Sequence, residues 1–156
     1  MRLATWAEFE EAAPELARAG RRLLPEVSFL ATVSRAGRPR VHPFCPAIAE
    51  GRLWAFIMEG SPKRRDLDHN RQFAIHALPG VEDEEFFIAG EAERVRESYL
   101  RKLASDAMPY DDADERHLLY EFHLERALWT TWENFHKPGM RPMHRWWLKA
   151  SDVGVR

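Results

Sequence analysis

The residues best placed to do chemistry in this sequence are the cations of Ser61-Pro62-Lys63-Arg64-Arg65-Asp66-Leu67-Asp68-His69-Asn70. The run lies between two strand-like segments, Leu53-Trp54-Ala55-Phe56-Ile57-Met58 and Phe73-Ala74-Ile75-His76-Ala77-Leu78. A strand therefore opens through a small-residue turn into a short helix. Pro62 takes its first position, where no intrahelical bond is asked of the nitrogen. Lys63, Arg64 and Arg65 crowd the first turn, and positive charge there opposes the helix dipole. A bound anion would remove the conflict, since free N–H groups, the Ser61 hydroxyl and the cations would face it together. A solvated basic turn accounts for the same residues, so this segment alone leaves both readings open.

Other chemistries find less support. There is no Gly-x-Ser-x-Gly elbow and no Gly-x-Gly-x-x-Gly turn. Seven histidines are present. His117 and His123 share strand parity, yet no His-x-His, His-Glu-x-x-His or cysteine cluster accompanies them, so no metal site is expected. Cys45 is the single cysteine; it excludes an intramolecular disulfide, fits a reducing compartment and reads as a small buried hydrophobe. His69 and His76 read as surface or core fillers, and His42 as the wall of a site rather than a base.

The elements that must position these residues follow from pattern and punctuation. Thr5 and Glu8 form a capping box for a first helix. Pro14 breaks it and restarts a second, which ends near Leu24 and is weakened by Gly20. In Val27–Ser34 the odd positions are apolar, the pattern of a half-buried strand. A turn at Gly37 leads into a strand over residues 39–48. Glu50-Gly51 turns again, and residues 53–58 complete a three-strand meander. Beyond the basic helix come the strand at 73–78, an acidic loop at 82–85, and a long strand at 86–95 whose apolar face carries Phe86, Ile88, Gly90 and Ala92. A helix over 97–108 presents Tyr99, Leu100, Leu103 and Ala107. Strand residues 118–124 continue through 127–132 after a bend, and 143–148 form the last strand. Six or seven antiparallel strands with peripheral helices imply a mainly β barrel. Pro43 and Pro46 cannot donate to a sheet ladder, so their strand belongs at an edge or beside a ligand.

Length and composition set the frame. A chain of 156 residues fits one domain: a helical segment over 1–25 and a barrel over 27–148. An apolar fraction of 45% and six tryptophans argue against disorder. A net charge of −2 calls for neither nucleic acid nor an anionic membrane surface. No run reaches transmembrane length, and Met1–Glu8 has no apolar signal core, so a cytoplasmic protein is expected.

In combination, these segments resemble a known family. The order is strand, glycine turn, Arg40-Val41-His42-Pro43, turn, strand, Ser61-Pro62-Lys63, Asn70, strand, then Gly90-Glu91-Ala92. It is similar to the pyridoxamine 5'-phosphate oxidase-like FMN-binding split β-barrel superfamily, from about Val27 to Val95 and more loosely to Trp147. The resemblance implies that Ser61, Lys63 and Arg64, with Arg40 from the neighbouring strand, hold the FMN phosphate. Val41, His42 and Pro43 would line the flavin ring, largely through backbone, with Phe56 and Ile57 as the floor. It also implies a homodimer with flavin at the interface, a small organic substrate, and partner-facing roles for Trp129, Trp132, Trp146 or Trp147. Relatives of this kind include deazaflavin-dependent reductases, whose longer acidic cofactor Arg35, Arg38 and Arg141 could serve, and non-catalytic flavin- or haem-binding proteins. The segment Arg145–Asp152 lacks the Arg-Leu-x-Pro ending that the true oxidase carries, so pyridoxamine-phosphate oxidation is not expected.

Overall fold

The computed structural model describes residues 2–108 and 114–150; Ser151 and Asp152 lie outside them. Two helices come first. Helix α1 (Trp6–Ala12) starts at the expected capping box, and Ala13 leaves helical geometry ahead of Pro14, which begins α2 (Pro14–Leu23). α2 runs through Gly20. A Cβ there would lie 2.7 Å from both the Trp6 and the Phe86 rings, so the missing side chain lets α2 lie directly on the core.

Eight strands follow among the described residues: β1 (Ser28–Val33), β2 (Pro39–Phe44), β3 (Ala47–Ala49), β4 (Arg52–Met58), β5 (Gln72–Ala77), β6 (Glu85–Val95), β7 (His117–Glu133) and β8 (Arg141–Leu148). Helix α3 (Pro62–His69) joins β4 to β5, and α4 (Ser98–Ala107) follows β6. The count exceeds six or seven because the single expected run over 39–48 breaks at Cys45-Pro46. Pro46 has no N–H to offer a neighbour.

All pairings are antiparallel, in the order β2-β1-β5-β6-β7-β4-β3, with β8 also on β7. The expected three-strand meander is therefore not formed. β2 pairs with β1 at one edge, β3 pairs with β4 at the other, and the Cys45-Pro46 corner links the two edges. β7 is the organising strand. β6 runs along one side of it, while β4 takes its first part and β8 its last on the other. The register of β6 on β7 slips by one residue beyond Gly90, which accommodates the expected bend. A Cβ at Gly90 would sit 1.9 Å from the His123 carbonyl oxygen, so only glycine fits.

The core lies on the inner face, where Leu30, Ile57, Ile75, Phe86, Ile88 and Phe122 are fully buried. Phe122 packs edge-on against Phe73 at 5.0 Å and tilted against Phe44 at 5.8 Å. β6 turns Phe86, Ile88, Gly90 and Ala92 inward, as its alternation predicts. β1 does the reverse. Its even positions, Ser28 and Thr32 with Leu30 between them, are buried, and the apolar Phe29 faces out, 40% exposed. In α4 the buried residue is Ala104, whereas Tyr99 is exposed. No described helix is long and apolar enough to cross a membrane.

Candidate functional site

Helix α3 begins as the sequence predicts. Ser61 caps it, its Oγ accepting from the Arg64 backbone N–H at 3.3 Å, and Pro62 occupies the first turn. The three cations then diverge. Arg64 donates to the Glu59 carbonyl (2.7 Å) and to Asp68 (3.0 Å), and Arg65 donates to the Gly60 carbonyl (3.2 Å). Lys63 turns toward β2, where its Nζ donates to the Pro43 carbonyl at 3.2 Å. The expected phosphate residues thus form two adjoining groups rather than one cluster.

The first group surrounds a cavity of about 470 Å³ between the β1–β2 loop and α3. Arg35, Arg40, Arg64 and Arg65 supply its cations, and Asp66 and Asp68 its acids. Arg40 Nε lies 3.7 Å from Asp66, which is 3% exposed, and Arg64 pairs with Asp68. Arg35 has no hydrogen-bond or ion-pair partner among the described residues, and Arg65 reaches only a carbonyl. Two guanidinium charges therefore lack a carboxylate.

The second group centres on His42. Arg40 and His42 point inward from β2, whereas Val41 and Pro43 point outward; Val41 is 67% exposed. The buried Thr32 hydroxyl donates to Asp66 at 2.8 Å and lies 3.3 Å from His42 Nε2. A hydroxyl has one proton. With that proton on Asp66, Nε2 must donate, which assigns the ring tautomer. Burial holds the His42 pKa below its usual value; Lys63 adds to this, Asp66 opposes it, and Arg40 adds again. Burial likewise lowers Lys63, against the pull of nearby Cys45. Cys45 is half-buried rather than a core residue.

A supporting layer lies behind Arg64. Burial alone would raise Asp68, but hydrogen bonds from Tyr120 and Arg64 outweigh it and hold the carboxyl below its usual range. The Tyr120 hydroxyl donates to Asp68 at 2.6 Å; burial, then Asp68, push its pKa well above the ordinary phenol value. Arg64 is thus held on a fixed charged partner.

The remaining sequence-predicted residues are dispersed. Phe56 and Ile57 face opposite sides of β4: Ile57 is fully buried in the core, and Arg101 stacks over Phe56 at 5.0 Å. Trp129 donates to Glu84 and Trp132 to the Asp83 carbonyl, while Trp147 packs on Phe9 at 4.9 Å. Only Trp146 among these four indoles is largely exposed, at 56%. His117 bonds Asp114, and His123 sits 3.9 Å from Glu93. Sequence reasoning missed Thr32, Asp66 and Tyr120. Asp66 carried a faint signal, because it neighbours Leu67 on the face of α3 opposite its solvated side.

An antiparallel sheet split between β2 and β3, with a cationic cavity where α3 meets β2, defines a split-barrel protein. Residues 14–132 match the family model described as Pyridoxamine 5'-phosphate oxidase, and the chain belongs to that family. Solved structures share the fold at low identity. A heme binding protein from Mycobacterium smegmatis aligns at TM-score 0.62 and 20% identity, over 83% of this chain and 58% of that one. The chain therefore spans less than two thirds of that neighbour's length. A NimC/NimA family protein from Clostridium acetobutylicum aligns at TM-score 0.59 and 18% identity, over 82% and 92% of the two chains. PhzG from Burkholderia lata 383, in complex with tetrahydrophenazine-1-carboxylic acid, aligns at TM-score 0.60 and 16% identity, over 90% and 92%. No curated protein matches the sequence significantly.

Proposed function

We propose that this protein is a flavin-dependent oxidoreductase that binds FMN at the interface of a homodimer and passes a hydride to or from a small organic substrate. The observation that carries the reading is the charge imbalance at the α3 cavity. Two arginines without carboxylate partners match one phosphate dianion, and guanidinium groups are the donors best shaped for phosphate oxygens. The expected residues also keep donors to spare. Ser61 uses its oxygen for the cap but not its proton, and Lys63 spends one of three N–H bonds on Pro43. Arg40, Ser61, Lys63 and Arg64 would hold the phosphate, Arg35 and Arg65 in the same cavity would supply the two unpaired charges that balance it, and the backbone of Val41-His42-Pro43 would border the ring. Bound FMN supplies the hydride chemistry itself, so the protein's tasks are binding, orientation and water exclusion. His42, locked by Thr32, acts as a wall.

The outer face of the sheet supports the dimer. Cross-strand partners on one face run Pro43–Phe29–His76–Phe87–Leu128–Trp146 across six strands. Beside them Val41, Ala31, Ala74 and Ala89 make a second row. A largely apolar stripe, interrupted only by His76 among these residues, favours an interface on a small protein. A second copy brings its own Val41 and Pro43 to it, which would place two flavin sites at the contact.

Absorption spectra and mass spectrometry of heat-released ligand test the reading directly. The expected result is FMN, reducible by nicotinamide or another donor, with little turnover of pyridoxamine phosphate. Haem, a deazaflavin, or a flavin spectrum that no reductant changes would overturn it.

A further inference from the structure

A second cavity, of about 600 Å³, opens at the corner between β2 and β3. Its walls are Val27, Cys45, Pro46, Ala47, Ile48 and Ala107. The corner exists because Pro46 ends pairing after Phe44 and β3 resumes against β4 at Ala47. The cavity thus lies where the barrel is split, one residue beyond the Phe44 end of the strand that carries Val41, His42 and Pro43. Cys45 forms part of its wall and stands two positions after Pro43, whose carbonyl accepts from Lys63 Nζ. The apolar cavity and the proposed cofactor site therefore adjoin along the short Pro43–Cys45 segment. Val27, just ahead of β1, is 39% exposed and keeps the parity of the outward Phe29.

The charges at the rim select the ligand. Arg21 is neutralised by a two-pronged pair with Glu10, at 2.7 and 2.8 Å, and its guanidinium lies over the Trp6 ring. Glu26 has no hydrogen-bond or ion-pair partner among the described residues. It is held at φ 75°, a left-handed geometry that a non-glycine residue adopts only at a cost. An apolar cavity with one compensated cation and one uncompensated carboxylate repels anions. Its size falls within the ~300–1,000 Å³ usual for small-molecule sites.

We propose that this cavity takes the apolar body of the organic substrate, and that the substrate is an uncharged, largely apolar molecule; the assignment rests on the flavin reading for what adjoins it. The test is calorimetric titration of the purified protein, its FMN content measured in the same sample, with 1-naphthol and its anionic counterpart 1-naphthoate. Wild type should bind 1-naphthol, and 1-naphthoate about tenfold more weakly. Ala47→Trp and, independently, Ala107→Trp should weaken 1-naphthol by about tenfold or more, because each fills the space. Both should leave FMN affinity within about twofold. The proposal is overturned if 1-naphthol does not bind, if 1-naphthoate binds equally well, if neither folded variant alters 1-naphthol affinity, or if FMN affinity falls in parallel. A sample that takes up no FMN yet binds 1-naphthol in a variant-sensitive way would sink the flavin reading and leave the cavity's ligand class standing.

Discussion

At the residue scale, the two groups of cations make different demands. Lys63 is half-buried and already desolvated, so it gains more from an anion than a solvated lysine does. Lys63→Ala should weaken FMN by about ten- to a hundredfold, the worth of one charge-assisted hydrogen bond. Lys102→Ala should change little, since Lys102 lies exposed on α4 with Asp106. Arg35→Ala tests the unpaired guanidinium and should weaken FMN far more than riboflavin, which lacks the phosphate. Fluorescence quenching of both flavins measures these effects.

His42 adds a pH dependence. Its folded pKa lies below the usual 6.5. Between the two values the unfolded chain binds more protons than the folded one, so stability is present above about 6.5 and falls as pH drops toward the folded pKa. His42→Gln should flatten the denaturation midpoint over that window. A phosphate bound near His42 would raise its pKa, so FMN affinity should rise on acidification through the same range in wild type and not in the variant.

At the element scale, β1 and β6 teach opposite lessons from equally clean alternation. In β6 the apolar positions point inward, so hydrophobicity alone predicts the face. In β1 Ser28 bonds the Leu24 carbonyl and Thr32 bonds Asp66, so polar residues are buried with partners and the apolar row is left outside. Alternation fixed the period of β1 but not its direction, because a sheet with a second sticky face satisfies the pattern either way. The sequence order of α3 and β2 was legible from proline and charge. The divergence of Lys63 from Arg64 was not, because it depends on where the Pro43 carbonyl lies. Asp66 was hidden for the same reason: a buried acid is recognised by its partners on other strands.

The glycines test the packing of these elements. Gly90→Ala places a methyl against a backbone oxygen that cannot yield, and should cost about 3 kcal/mol or more. Gly20→Ala meets only the Trp6 and Phe86 rings, which can shift, so about 1–3 kcal/mol is expected. Urea denaturation of both variants should preserve that ranking.

At the scale of the whole molecule, the outward row of β1 and β2 is the feature a solitary copy explains least. Light scattering at micromolar concentration should give twice the chain mass. Phe29→Glu with Val41→Glu should give a folded monomer, since neither side chain supports the core.

The central position of β7 has a further consequence. It begins at His117, yet it supplies the partner for β4, β6 and β8. During synthesis the ribosome therefore releases β4 and β6 long before the strand that joins them exists. Until then the nascent chain can pair β2-β1-β5-β6 and, apart from it, β3 with β4, with the β6 edge unpaired and ready to add a foreign strand. Sequence-distant pairing of this kind also closes slowly. The stretch between β6 and β7, which includes α4, thus sets an interval of vulnerability. Expression at reduced temperature, or with a holdase chaperone present, should raise the soluble yield more for this protein than for a meander of equal length.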